Sequence, residues 1–333
     1  MPSPERPAFL ITIDTEGDNL WAHPRSITTR NTVWLPRFQQ VCEEYGLIPT
    51  YLTNYEMACS PEFQRFGRDV AKRRTAEIGM HLHAWNSPPL VPLTEDDFGR
   101  APYLIEYPED LIREKVVYMT GLLRHTFEVP ITSHRAGRFG FNGTYAQILE
   151  DCGYQVDCSV TPGISWAAHP GGTVGGPDFT TAPRGPYFLD YDDVCRPGES
   201  ALLEVPMTIR LAPLSWLDPL PNRLKPMSFA RRAVDRLAPP FDSLQPNGHN
   251  LRGMLRLLDQ AEEQGESCVE LLLHSSELMP GGSPRFRTQG SIEKLYRDLH
   301  VLFGAALGRF RGMGLTDFAD EYRGAPALAE VGS

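Results

Sequence analysis

The sequence predicts an α/β fold of the barrel type, a parallel sheet with helices packed outside it. Three observations lead there. From residue 8 onward, short apolar runs alternate with stretches of helical periodicity in three successive steps with short connections. Several of these runs end abruptly in polar groups, as barrel strands do at the rim that carries catalysis. A chain of 333 residues also suits one barrel of roughly 250 residues lengthened by loops.

Taken in order, residues 8–13 read as a fully apolar strand that runs into Asp14-Thr15-Glu16-Gly17-Asp18. Asp14 and Glu16 share one strand face, although an acidic turn cornered at Gly17 is the plainer reading of that stretch alone. Residues 31–45 carry Val33, Trp34, Phe38, Val41 and Tyr45 at helical intervals and stop at Gly46, a usual residue just past a helix end. A strand over 48–52 and a helix over 61–74 follow, then a strand over 77–83. In that third strand His81 and His83 leave the sheet on one face. Paired neutral imidazoles supply two of the three protein ligands that an open metal site needs. Residues 86–107, rich in Pro, Gly and acids, read as a long loop over the mouth of the sheet.

A helix is expected over 109–127, then a brief strand over 131–138 ending Ser133-His134-Arg135-Ala136-Gly137-Arg138. Arginines at a strand end can hold carboxylates through forked hydrogen bonds. Next come a helix over 142–152 and a strand over 154–160 with Asp157 and Ser159 on one face. Residues 161–186, dominated by Pro and Gly and carrying Trp166 and His169, read as a lid or irregular loop. Strands are expected within 187–193 and 202–209, and a Pro-rich insertion with a short helix within 210–248. The chain then returns to a helix over 250–264 and an apolar strand over 268–273 that ends His274-Ser275-Ser276-Glu277. A loop over 279–286, a long helix over 292–309 and a strand-to-helix step over 315–322 complete it, with the last ten residues as a frayed tail. One domain over 1–333 is expected, with insertions at about 86–107, 161–186 and 210–248.

Composition narrows the function. A net charge of -10 without any basic run argues against nucleic acid, which needs clustered Lys and Arg. The six cysteines include no CxxC and read as buried, reduced thiols. No run reaches the ~18 apolar residues of a membrane span, and the start lacks a basic region followed by an apolar core, so a cytoplasmic location is expected. Nothing in the composition bears on oligomeric state.

Four strand ends thus present Asp14/Glu16, His81/His83, Arg135 and His274 in that order, and with them the chain resembles the polysaccharide deacetylases, the NodB-like proteins of carbohydrate esterase family 4. The resemblance covers most of the chain. Residues 11–14 with Glu16 stand where that family has its Asp-Asp strand end, and Glu77-Ile78-Gly79-Met80-His81 is similar to the run before its first histidine ligand. Residues 135–140, 157–159 and 271–274 resemble its later motifs. Two departures stand out: the acids lie two apart rather than adjacent, and the histidines two apart rather than four, with Trp85 at the expected place. The run Ile78 to Pro89 with the later His-Ser-Ser-Glu-Leu is similar to a divergent bacterial subgroup associated with surface polysaccharide synthesis.

The resemblance implies a distorted, incomplete (β/α) barrel and a metal-dependent hydrolase. The reaction implied is removal of an N-acetyl or N-formyl group from an amino sugar or surface polysaccharide precursor. The alternative is a catalytically inactive sugar-binding or scaffolding protein on the same barrel. It implies Glu16, His81 and His83 as ligands of one divalent metal, Zn2+ foremost, with Co2+, Ni2+ or Mn2+ also suited to imidazole and carboxylate donors. Asp14 would be the base, His274 an acid on the opposite side, Arg135 the group that keeps Asp14 ionised, and Asp157 a support behind them. Trp85 and Arg138 would meet the acylated sugar. Spacing alone leaves open whether Asp14 is instead the ligand and Glu16 or Asp18 the base. Trp21, Trp85 and Trp166 suit a core and a sugar platform equally. His134, His169 and His249 read as surface or loop groups, and Glu277 as structural.

Overall fold

A computed structural model describes residues 6–22, 24, 26–169, 171–172, 175–211 and 241–324. The expected tail lies largely outside these residues, as does any helix within 212–240.

Among the described residues the main sheet contains β1 (Ala8–Thr15), β2 (Pro49–Thr53), β3 (Glu77–Leu82), β4 (Ser133–Ala136), β5 (Val156–Asp157), β6 (Tyr187–Phe188), β7 (Leu203–Glu204) and β10 (Cys268–His274). Their order is β10-β1-β2-β3-β4-β5-β7-β6, with a short β11 (Arg311–Gly312) also pairing with β1. All neighbours are parallel except β6 against β7. β6 and β10 end the order without pairing, so the mixed sheet curls into an open half-barrel with helices outside it. An antiparallel pair of β8 (Ile209–Leu211) and β9 (Phe241–Ser243) lies beside the open edge. There Leu272 N donates to Leu244 O at 2.9 Å and Glu270 N to Thr208 Oγ1 at 2.8 Å.

β1 is apolar along most of its length because both its faces are covered. Phe9, Ile11 and Ile13 pack in the larger core with the helices, whereas Ala8 and Leu10 belong to an inner cluster with Leu52, Val156, Cys158, Leu203 and Val205. The helix Leu315–Gly324 adds Leu315, Phe318 and Ala319 to that inner cluster. The lower half of the barrel is therefore filled with apolar side chains. Its upper half, where the parallel strands end, holds Asp14, His81, Arg135, Glu270 and His274, all at least mostly buried.

The helices Leu35–Glu44, Pro61–Arg73, Glu109–Phe127, Gly143–Asp151, Leu251–Glu263 and Gln289–Ala306 follow the expected periodicity. The last starts earlier than its apolar spacing predicts because Thr288 caps it by accepting from Ser291 N at 3.2 Å. It also ends earlier, before Gly308 at φ 79.

Several strands are shorter than expected, for local reasons. The segment 154–160 yields only two strand residues because the Asp157 side chain accepts from Ser159 N at 2.9 Å and turns the chain. In 187–193, Asp190 and Asp193 do the same toward Asp192 N and Cys195 N, at 2.8 and 3.0 Å. Residues 202–209 split into β7 and β8 on either side of Pro206. The insertion 210–248 contributes a strand, β9, where none was expected. All six cysteines are free, but Cys59 is exposed and Cys152 half-buried, against the expectation of buried thiols. No helix among the described residues is long and apolar enough to cross a membrane.

The loop 86–107 contains a helical turn at Asp97–Arg100. It is tied down by Lys115, whose Nζ donates to Ser87 O at 2.6 Å and Pro89 O at 2.7 Å. Burial pushes that ammonium down to about 8.

Candidate metal centre and pocket

β3 and β4 are in register with His81 opposite Arg135. That pairing lets His81 Nδ1 donate to the Arg135 carbonyl at 2.9 Å and leaves Nε2 turned toward Glu16, 3.6 Å from its Oε2. His83 Nε2 reaches the same oxygen at 3.0 Å. Two residues below His81, a Cβ on Gly79 would stand 2.4 Å from Ser133 Oγ and 2.7 Å from Leu52, so only glycine fits there. Glu16 is fixed through its main chain: Glu16 N donates to Ser275 Oγ at 3.0 Å, and Asn31 Nδ2 donates to Glu16 O at 2.7 Å.

Glu16, His81 and His83 are all buried, and their donor atoms lie within 4.8 Å of one another. Donors about 2.0–2.1 Å from a tetrahedral cation sit roughly 3.3 Å apart, and the observed 3.0 and 3.6 Å bracket that spacing. A backbone carbonyl holding the far nitrogen of a histidine is also the usual support for a ligand. The donor set fits a divalent cation. Burial would push the Glu16 carboxyl up, but hydrogen bonds from His81 and His83 outweigh it and hold it well below the ordinary range. Burial lowers His83, which favours the neutral form a ligand requires.

Beside this cluster Arg135, fully buried, joins two carboxylates. Its NH1 donates to Asp14 Oδ1 at 2.7 Å, its NH2 to Glu270 Oε1 at 2.8 Å and its Nε to Cys158 O at 2.9 Å. Burial would raise Asp14, but Arg135, His81 and His274 outweigh it and keep the carboxyl below its usual range. The two acids that spacing could not distinguish therefore have different partners, Asp14 the guanidinium and Glu16 the imidazoles. Asp18 is committed elsewhere, accepting from Arg30 N at 2.6 Å and Thr28 Oγ1 at 3.0 Å.

Asp14 and His274 are register partners on β1 and β10, and His274 Nε2 lies 3.7 Å from Asp14 Oδ2. The expectation of an acid across the site is thus corrected: the two groups stand side by side. His274 Nδ1 is 3.4 Å from Glu277 Oε2. Burial alone would lower this imidazole, yet Glu277 outweighs it and raises it to about 9. Glu277, read from sequence as structural, is the group that keeps His274 charged.

Above these groups opens a cavity of about 420 Å³ lined by Trp21, Trp85, Trp166, Phe98, Tyr103, Phe139, His169 and Arg138, among others. All three tryptophans line it, and Trp85 and Trp166 also pack against the main core. Trp85 packs on His83 with ring centroids 4.3 Å apart, and Phe98 packs on Trp85 at 4.6 Å. Phe139 stacks on Trp166 at 5.3 Å and 18°. The tight turn after β4 places Arg138 and Phe139 in consecutive left-handed conformations, φ 54 and 58, each costing about 1–2 kcal/mol for a residue with a Cβ. The Arg138 guanidinium rests over Trp85 at 5.4 Å and Phe98 at 5.1 Å.

Asp157 is not brought to this pocket. It pairs with His134, Nδ1 to Oδ1 at 2.6 Å, while His134 Nε2 meets Tyr145 OH at 2.8 Å. Both residues point away from Arg135, because successive residues of a strand face opposite sides. His134, expected at the surface, is fully buried in this network. Sequence reasoning missed Phe98, Tyr103 and Phe139 as pocket residues, and loops offer no periodicity that would have revealed them. Glu270 was legible only as an acid inside an apolar strand.

No family model matches the chain, and no curated protein matches its sequence. Solved structures do match its fold. A provisionally described polysaccharide deacetylase from Mycobacterium smegmatis aligns over 100% of this chain and 96% of its own, with a TM-score of 0.56 and 13% identity. A provisionally described glycoside hydrolase/deacetylase from Parabacteroides distasonis aligns over 98% and 74%, with a TM-score of 0.61 and 11% identity. A branching enzyme of the GH57 type from Pyrococcus horikoshii aligns over 96% and 71%, with a TM-score of 0.51 and 9% identity. The chain has the distorted, open barrel of the NodB-like polysaccharide deacetylases, and the resemblance read from its sequence holds at the level of the fold.

Proposed function

We propose that the protein is a metal-dependent hydrolase that removes an N-acyl group, acetyl or formyl, from an amino sugar or a precursor of a surface polysaccharide. The observation that carries this reading is the buried convergence of Glu16, His81 and His83 on one point at the floor of an aromatic-walled pocket. A divalent cation held there by Glu16, His81 and His83 would supply Lewis acidity toward an acyl carbonyl and would lower the pKa of a water toward neutrality.

The remaining steps fall to the chain's own groups. Asp14, kept ionised by Arg135, takes a proton from the attacking water. His274, kept protonated by Glu277, delivers one to the departing nitrogen, without which the amine is a poor leaving group. Trp85 and its aromatic neighbours offer flat faces to a pyranose ring and exclude solvent. Asp157 acts only through the packing of β4 and β5.

The test is metal analysis and acyl release on the same sample. Protein dialysed against Zn2+, Co2+, Ni2+ or Mn2+ should retain about one equivalent and release acetate or formate from N-acylated amino sugars. Metal-loaded protein that binds such sugars without releasing acid would instead establish the sugar-binding alternative. Loss of all metal on dialysis would refute the ligand set.

A further inference from the structure

Arg138 is the described pocket arginine that nothing in the fold accounts for. The other, Arg285, donates to Glu277 at 3.2 Å, and Arg135 beneath the floor is consumed by Asp14 and Glu270. Arg138 has neither a hydrogen bond nor an ion pair with any described residue; it lies over the ring faces of Trp85 and Phe98 and meets Glu16 and Tyr103 only through longer-range electrostatics. Stacking of that kind fixes the plane of the guanidinium while leaving its in-plane N–H donors unused. The backbone is strained to put it there, since Arg138 and Phe139 both adopt positive φ where glycine would be at ease. Strain that brings a guanidinium without a protein acceptor to the mouth of a pocket leaves donors that a ligand can take over from solvent.

We propose that the pocket selects sugars bearing an anionic group, a phosphate or a carboxylate, and that Arg138 recognises it. This rests on the reading of the pocket as a sugar site and deepens it by naming the substrate class. Guanidinium forks match both oxyanions in a bidentate manner. The chain as a whole is acidic, with a net charge of -10, so a cation at the pocket rim without a close ion-pair partner among the described residues is where an anionic substrate meets local attraction.

Titration calorimetry on the full-length protein tests it with three probes: N-acetylglucosamine 1-phosphate, N-acetylglucosaminuronic acid and the neutral methyl glycoside of N-acetylglucosamine. Wild type should bind at least one anionic probe tenfold or more tighter than the neutral one. Arg138→Gln should abolish that advantage, weakening the anionic probe at least tenfold more than the neutral one, and Arg138→Lys should restore only part of it. A phosphate preference identifies a phosphorylated or nucleotide-linked sugar, and a uronate preference an acidic glycan. Equal affinity for all three probes, or an advantage that survives in Arg138→Gln because the anion sits on the metal, overturns the proposal. Should Arg138→Gln fail to fold, Arg138→Lys and competition of each probe with inorganic phosphate on the wild type decide the matter. Acyl release measured alongside keeps the two readings apart. Anion selectivity without turnover refutes the hydrolase, whereas turnover of neutral and anionic sugars alike refutes only the role of Arg138.

Discussion

His81 and His274 are both imidazoles at the ends of strands of one sheet, β3 and β10 with β1 and β2 between them, yet their surroundings direct them to opposite tasks. His81 has a carbonyl behind it and a carboxylate in front, so its Nε2 is placed where it could donate to a cation shared with Glu16. His274 has carboxylates at both nitrogens and holds a proton. His81→Ala should therefore lose bound metal and turnover together, by metal analysis and acyl release, while His274→Ala should keep the metal and lose turnover by 10²-fold or more. The pH dependence follows with a definite sign. Because the folded-state value of His274 is raised to about 9 from an ordinary 6.5, its contribution to stability is complete below 6.5 and disappears as pH climbs through 9. In denaturant titrations of the metal-free protein, the gap between wild type and His274→Gln should narrow across that window. A gap that widens with pH would mean that His274 is neutral in the native protein.

The strands set how precisely these groups are placed. β1, β3 and β10 were legible from sequence because each is a largely apolar run that leads into acid or histidine, and parallel pairing necessarily brings those ends to one rim. β5, β6 and β7 were blurred because Asp157, Asp190, Asp193 and Pro206 interrupt them with local bonds that periodicity does not reveal. Asp157 was assigned toward the site by motif alone, whereas the register of β4 and β5 pairs it with His134 on the other face. Glycine at 79 marks where β3 must approach β4 closely under the ligands. Gly79→Val should cost about 1–3 kcal/mol from overpacking and weaken metal retention as well, read by denaturation and by metal titration. An unaffected metal affinity would show that the ligands tolerate a displaced strand.

At the scale of the molecule, the half-barrel divides into an apolar plug and a polar crown. The plug depends on the helix Leu315–Gly324, whose Phe318 enters the inner cluster. Phe318→Ala should cost about 3–5 kcal/mol yet leave metal affinity unchanged, since no ligand touches that layer. A parallel loss of metal would mean that plug and crown move as one body. Sequence showed the helix at the end of the chain but not its destination, because an apolar stripe states that a face is buried without stating against what. The incomplete barrel was expected from the resemblance, but the β8/β9 pair that partly spans its open edge was invisible for a similar reason: both strands are only three residues long.

Arg135 issues two separate instructions, one through its side chain to Asp14 and one through its main chain to His81. A methionine at that position erases the first message and leaves the second intact. Arg135→Met should therefore retain metal, lose turnover, and destabilise by about 3–5 kcal/mol as two carboxylates are stranded without a counter-charge. Adding Glu270→Gln should return part of that loss without reviving turnover, because the neutral amide relieves one stranded charge while Asp14 stays unescorted. Mutational histories at this codon would then be rugged: any route away from arginine passes through a form that still captures its ion but cannot use it.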